Sequence, residues 1–167
     1  MKGVAVRRVW AGLVAGLLTV GMTGCERDQH PNHIGRMAPE FVVSDGTQTV
    51  DLDKLRGKVV VLNLWATWCA PCIQELPSLM ELQRELPNVV VVGVSSDQDE
   101  AVYRQFLERR HVDFLTVRDG SERVNALYGT AQIPETYVID RQGVLRRKFV
   151  SAQDWTSPEI VKYLRTL

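Results

Sequence analysis

Apolar residues fall along this chain in two kinds of run, and their alternation outlines an α/β protein. Val59–Leu64 and Val89–Val94 are apolar stretches of strand length, as expected of strands buried on both faces. Between them, Ala70 to about Leu86 has helical spacing, with Ile73, Leu76, Leu79, Met80 and Leu86 on one stripe. Pro77 inside that stretch predicts a kink, because its ring opposes the Ile73 carbonyl. Short strands are predicted at Phe41–Val43 and Thr49–Val50 around the turn Asp45-Gly46, and Asp51 is placed to cap a turn through Leu55 that Gly57 ends. Gln98–Arg110 reads as a charged helix and Phe114–Val117 as a strand. Ser121 is the expected cap of a short helix ending at Gly129. Thr136–Ile139 and Val144–Val150 flank Asp140-Arg141-Gln142-Gly143, a hairpin signature, and Pro158–Leu167 closes the chain as a helix with Ser157 as its cap. Strands alternating with helices and ending in a hairpin predict one α/β domain with a mixed sheet.

The first residues follow a different rule. Lys2, Arg7 and Arg8 precede an uncharged run from Val9 to Met22, the pattern of an export signal over residues 1–24. The run is about 14 residues, short of the roughly 20 that a spanning helix needs, although an uncleaved anchor remains the competing reading. Glu26–Pro39 is polar and has no apolar periodicity. Residues 25–37 therefore read as a tether, with the domain at 38–167. His30 and His33 in the tether are either metal ligands or solvated linker.

Composition narrows the function. Lysine plus arginine equals aspartate plus glutamate at 20 each, which is not the basic balance of a nucleic-acid binder. Three cysteines, Cys25, Cys69 and Cys72, cannot build a disulfide scaffold. Trp68-Cys69-Ala70-Pro71-Cys72 follows a buried strand and opens a helix. There the free N–H groups and the helix dipole stabilise a thiolate on the first cysteine. The second cysteine lies one turn later, within disulfide reach, and Pro71 suits the first helical turn. The competing reading is half of a zinc site. No second pair stands at ligand spacing and His111 is isolated, so redox chemistry is favoured, with no metal or other cofactor expected.

The block Val61–Cys72 resembles the thioredoxin superfamily, and more narrowly the bacterial cell-envelope group typified by ResA, TlpA and CcmG, with an AhpC/TSA-redoxin-like domain. Ala38-Pro39-Glu40-Phe41 with Leu55-Arg56-Gly57-Lys58, and Ile133–Asp140, carry the same resemblance. It implies a thioredoxin-like fold with an N-terminal β extension and a helix–strand insertion over Gln98–Val117. It also implies catalysis by Cys69 and Cys72, a cis Ile133-Pro134 bond facing them, and an Ile133 backbone that pairs with substrate. Trp68 would shield the disulfide and touch partners, whereas Trp65 would be core. Cytosolic thioredoxin has a buried aspartate where Asn63 stands. The envelope group instead has a glutamate matching Glu75, which lies within reach of Cys72 on the same helix face. Glu75 is then either a proton acceptor for the resolving thiol or an acid complementing the helix dipole. Glu135 departs from the usual threonine and is either a charge acting on the site or a solvated acid. Met22-Thr23-Gly24-Cys25 resembles a lipoprotein box, making Cys25 the lipid-attachment residue; an ordinary signal with an incidental cysteine is the alternative.

The activity so implied is a reductase of partner-protein disulfides such as apocytochrome c. Electrons would come from a membrane thiol–disulfide donor, and the protein would be a monomer held to the membrane by its N-terminal lipid. A peroxidase would want proline and threonine where Leu62 and Ala66 stand. A copper chaperone would want wider cysteine spacing and a distal histidine, and none follows His111.

Overall fold

The computed structural model describes residues 34–167; the expected signal segment, Cys25, His30 and His33 lie outside them. A hairpin of β1 (Val42–Ser44) and β2 (Thr49–Asp51) leads through a 3-10 turn to β3 (Val59–Trp65), α1 (Ala70–Glu85) and β4 (Val89–Ser95). Then come α2 (Glu100–Arg110), β5 (Leu115–Arg118), α3 (Arg123–Tyr128), β6 (Glu135–Ile139), β7 (Leu145–Val150) and α4 (Pro158–Leu164). The main sheet has the order β5-β4-β3-β6-β7, with β3, β4 and β5 parallel and β6 and β7 antiparallel.

Strand parity divides the core. Val59, Val61 and Trp65 point to the face that α1 and α4 cover, where they meet Leu76, Leu79, Trp155 and Leu164. Val60, Leu62 and Leu64 point to the other face, against Phe41, Val124, Tyr128 and Tyr137. Asn63 has the parity of Trp65, so its amide is directed to the α1 side. This single fact brings it to the site described below.

The expected helix–strand insertion is α2 with β5, and β5 extends the sheet beyond β4. The β1–β2 hairpin is tied to it through Asp45, whose carboxylate accepts N–H bonds from Thr47, Gln48 and Arg118 at 3.0, 2.9 and 3.2 Å. Burial alone would raise the Asp45 pKa, but those three donors and Arg104 together lower it.

Four local expectations are corrected. The short helix α3 is capped by Asp119, whose carboxylate accepts the Val124 N–H at 2.9 Å, while the Ser121 hydroxyl bonds to Asp119 instead. Leu52, not Asp51, precedes the turn Asp53–Leu55, and no side chain caps it. Ser157 stands at the α4 N-terminus without a side-chain cap bond; Pro158 follows it, and the helix ends at Leu164. Gly35 and Arg36, within the stretch read as tether, exchange backbone bonds with Leu145 at 2.7 and 2.8 Å. The folded domain thus takes in the end of that segment. Helix α1 runs through Pro77 unbroken.

Candidate active site

Cys69 and Cys72 are joined as a disulfide, with their Cα atoms 5.2 Å apart. Cys69 is the N-cap of α1, and the Cys72 N–H points at its sulfur from 3.3 Å. In the reduced state that N–H and the helix dipole stabilise negative charge on Cys69. The two cysteines are not equivalent: the Cys69 residue retains 6% exposure and Cys72 has none. A partner can therefore approach Cys69 first.

The Ile133-Pro134 bond is cis, and the Ile133 carbonyl oxygen lies 3.7 Å from Cys69 Sγ. Trp68 is 68% exposed beside the disulfide, an apolar surface open to a partner, while Trp65 is fully buried. Asp97 holds the loop between them, accepting the Thr67 N–H at 3.0 Å and the Thr67 hydroxyl at 2.6 Å. Nothing in the local sequence signals that clamp, since Asp97 lies 30 residues beyond Thr67.

Beneath Cys72, on the inner face of α1, lies Glu75, 1% exposed. Asn63 Nδ2 donates to Glu75 Oε1 at 2.7 Å and to Thr136 Oγ1 at 2.8 Å. The Gln153 N–H and the Trp155 indole N–H both donate to Glu75 Oε2 at 3.1 Å. Burial raises the Glu75 pKa, and the donors from Trp155, Gln153 and Asn63 only partly offset it. Glu75 thus lies buried and beyond the first turn of α1, which holds no acidic residue. Sequence reasoning missed Gln153 and Trp155, although a tryptophan alone in the polar stretch Ser151–Ser157 needs a partner for its indole N–H.

That raised pKa sets a pH dependence. The folded protein holds the Glu75 proton more tightly than the unfolded chain does. Stability is therefore fully present below the ordinary glutamate range and declines as pH rises towards the folded pKa. Urea midpoints measured from pH 4 to 8 should fall with pH in the wild type and lose that component of the slope in Glu75→Gln.

Glu135 is neither solvated nor aimed at the sulfurs. It lies 2% exposed on the sheet face opposite Glu75, 2.9 Å from Lys148 Nζ and 2.8 Å from the Tyr137 hydroxyl. Its charge is compensated locally. The isolated His111 ends α2 in a left-handed conformation, at φ 51°. Among the described residues no cluster of His, Cys, Asp or Glu could hold a metal ion, and no helix is long and apolar enough to cross a membrane.

The comparisons with known proteins agree with this geometry. The sequence pattern of the AhpC/TSA family matches residues 34–148. The thiol-disulfide oxidoreductase ResA of Oceanobacillus iheyensis is 34% identical over 138 residues, covering 78% of this chain and 72% of that protein. The ResA of Bacillus cereus is 30% identical over 154 residues, covering 89% and 88%. A putative thiol:disulfide interchange protein DsbE from Chlorobium tepidum superposes with a TM-score of 0.70 at 29% identity, over 80% of this chain and 93% of that one. With a disulfide at a helix N-terminus and a cis-proline loop against it, the chain belongs to the AhpC/TSA family on a thioredoxin-like fold, and among its members it is a protein thiol–disulfide oxidoreductase of the ResA type.

Proposed function

We propose that the protein is a reductase of partner-protein disulfides in the cell envelope, held at the membrane by a lipid on Cys25 and acting as a monomer. The observation that carries this reading is the pairing of a fully buried Cys72 with a buried carboxylate of raised pKa on the same helix. The reduced Cys69 thiolate attacks a substrate disulfide, forming a mixed disulfide and releasing one substrate thiolate. Glu75 takes the proton from Cys72, whose thiolate then attacks Cys69 Sγ and releases the second substrate sulfur as a thiolate. Two electrons pass to the substrate and the Cys69–Cys72 disulfide remains. A membrane thiol–disulfide donor reduces it again, because the compartment itself favours disulfides. Trp68, Ile133 and Pro134 bind the substrate segment beside Cys69. Oxidised C-x-x-C-H sites of apocytochrome c, in cytochrome c-type biogenesis, are the substrate that the resemblance suggests.

The test is the reduction potential of the Cys69–Cys72 pair, by equilibration with a dithiol buffer. A value near or below about −230 mV is expected of a reductase; a value near −120 mV, typical of a strong oxidant, overturns the proposal. The variant Glu75→Gln supplies a second readout. Its release of mixed disulfides should slow at neutral pH and lose the pH dependence that a titrating carboxylate imposes.

A further inference from the structure

A cleft of about 340 Å³ opens beside the disulfide, bounded by Trp68 and Ile133 on the Cys69 side and by Glu122, Asn125 and Gln132 beyond. Ile133 also carries the carbonyl oxygen 3.7 Å from Cys69 Sγ, so whatever enters the cleft lies within a few residues of the reacting sulfur. Glu122 bears the one charge among the lining residues, and no cation of the described residues pairs with it. It is not needed as a helix cap either, because Asp119 already binds the α3 N-terminus while the Glu122 side chain makes no cap bond. Its backbone is left-handed, at φ 54°, a conformation that costs a residue with a Cβ and that glycine takes freely. Asn125 gives its amide N–H to Ser96 Oγ at 2.9 Å, which leaves Oδ1 as an acceptor. The lining residues thus carry a carboxylate, an amide oxygen and an exposed indole, three groups that together suit an ammonium or guanidinium.

We infer that this cleft takes a lysine or arginine side chain of the disulfide-bearing substrate segment, with Glu122 as counter-ion and Trp68 as cation–π platform. The inference rests on the reading of Cys69–Cys72 as a pair that reduces protein disulfides, and it names the charge class of the segment that pair prefers. The chemistry at sulfur is unchanged; the cleft only selects which disulfides dwell beside Cys69.

The test uses the reduced protein and a set of disulfide peptides identical except for Lys, Arg, Gln or Glu next to the attacked cysteine. Second-order rate constants are measured at low and at high salt. The expected result is a preference for Lys or Arg over Gln of about three- to tenfold at low salt, the range of an exposed ion pair with an aromatic face. Salt should shrink that preference. In Glu122→Gln the ratio should fall towards one, and in Glu122→Lys it should invert in favour of the Glu peptide. Glu159→Gln removes the same charge from the exposed start of α4 and should keep the wild-type ratio. Equal rates for all four peptides with the wild type, or an equal fall of the ratio in Glu159→Gln, overturn the proposal while leaving the reductase intact. Reduction of none of them by the reduced protein overturns the reductase reading and the inference with it.

Discussion

Cells producing the Cys72→Ser variant should accumulate covalent adducts of this protein with its substrates, and cells producing Cys69→Ser should accumulate none. Cys69 sits at the α1 N-terminus with the Cys72 N–H at its sulfur and retains a sliver of exposure; Cys72 is sealed beneath it. The proposed order, with entry through Cys69, follows from that difference in exposure. Without Cys72 the mixed disulfide on Cys69 has no internal thiol to resolve it. Without Cys69 disulfide reduction should drop at least about a thousandfold, because a serine hydroxyl carries almost no anionic character at neutral pH. Non-reducing gels followed by mass spectrometry read the outcome, with adducts that vanish on adding a reductant. Adducts formed by Cys69→Ser through Cys72 would reverse the assigned order.

The second large effect lies away from the sulfurs. Gly93 is the fifth of the seven residues of β4, paired with Asn63 on one side and Thr116 on the other. A Cβ there would stand 2.7 Å from Thr116 Oγ1, 2.9 Å from Trp65 Nε1 and 3.0 Å from Phe114 Cε2. Strand propensity alone says that Gly93→Val should stabilise β4, since valine is favoured and glycine is not. Packing says the opposite. The Trp65 ring is fully buried against Tyr103 and Phe106, and the Tyr103 hydroxyl donates to Thr116 Oγ1, so neither neighbour is free to retreat. Overpacking at such a place costs about 3 kcal/mol, and Gly93→Ala about half as much. Chemical denaturation of the oxidised proteins measures it, and a Gly93→Val midpoint at or above wild type would show that the space over Gly93 is not closed.

What could be read from the chain in advance was whatever is local. The apolar runs of β3 and β4, the stripe of α1, the hairpin between β6 and β7, and the paired cysteines at a strand-to-helix junction each lie within one stretch of sequence. The structure shifts their ends by a residue, lengthening β3, β4 and β6 and shortening α1 and β7. The parts that escaped are contacts between distant stretches. Glu75 could be matched to Cys72 by helical spacing, but its bonds to Gln153 and Trp155 join residues 78 and 80 positions away. Glu135 could be suspected of acting on the site because it follows Pro134. Strand parity turns it to the other face, where Lys148 meets it across the β6–β7 pair. Ser121 had the right residue type and position for a cap, and Asp119, two residues earlier, outcompeted it with a charge. Glu122 gave no signal at all: an exposed acid in a short loop becomes notable only when Trp68 and Ile133 are seen across the cleft from it.

The pairing of Gly35 and Arg36 with Leu145 also gives the molecule a polarity. Leu145 lies opposite Ile139, which in turn lies beside Val60, so the chain joins the sheet where β3 begins. Cys69 lies past the other end of β3, beyond a seven-residue strand about 23 Å long. A lipid, a fusion partner or a solid support attached upstream of Ile34 is therefore connected at the pole away from the disulfide. Immobilised through its N-terminus, the domain should present its sulfurs outward, as a probe tip is carried on its handle.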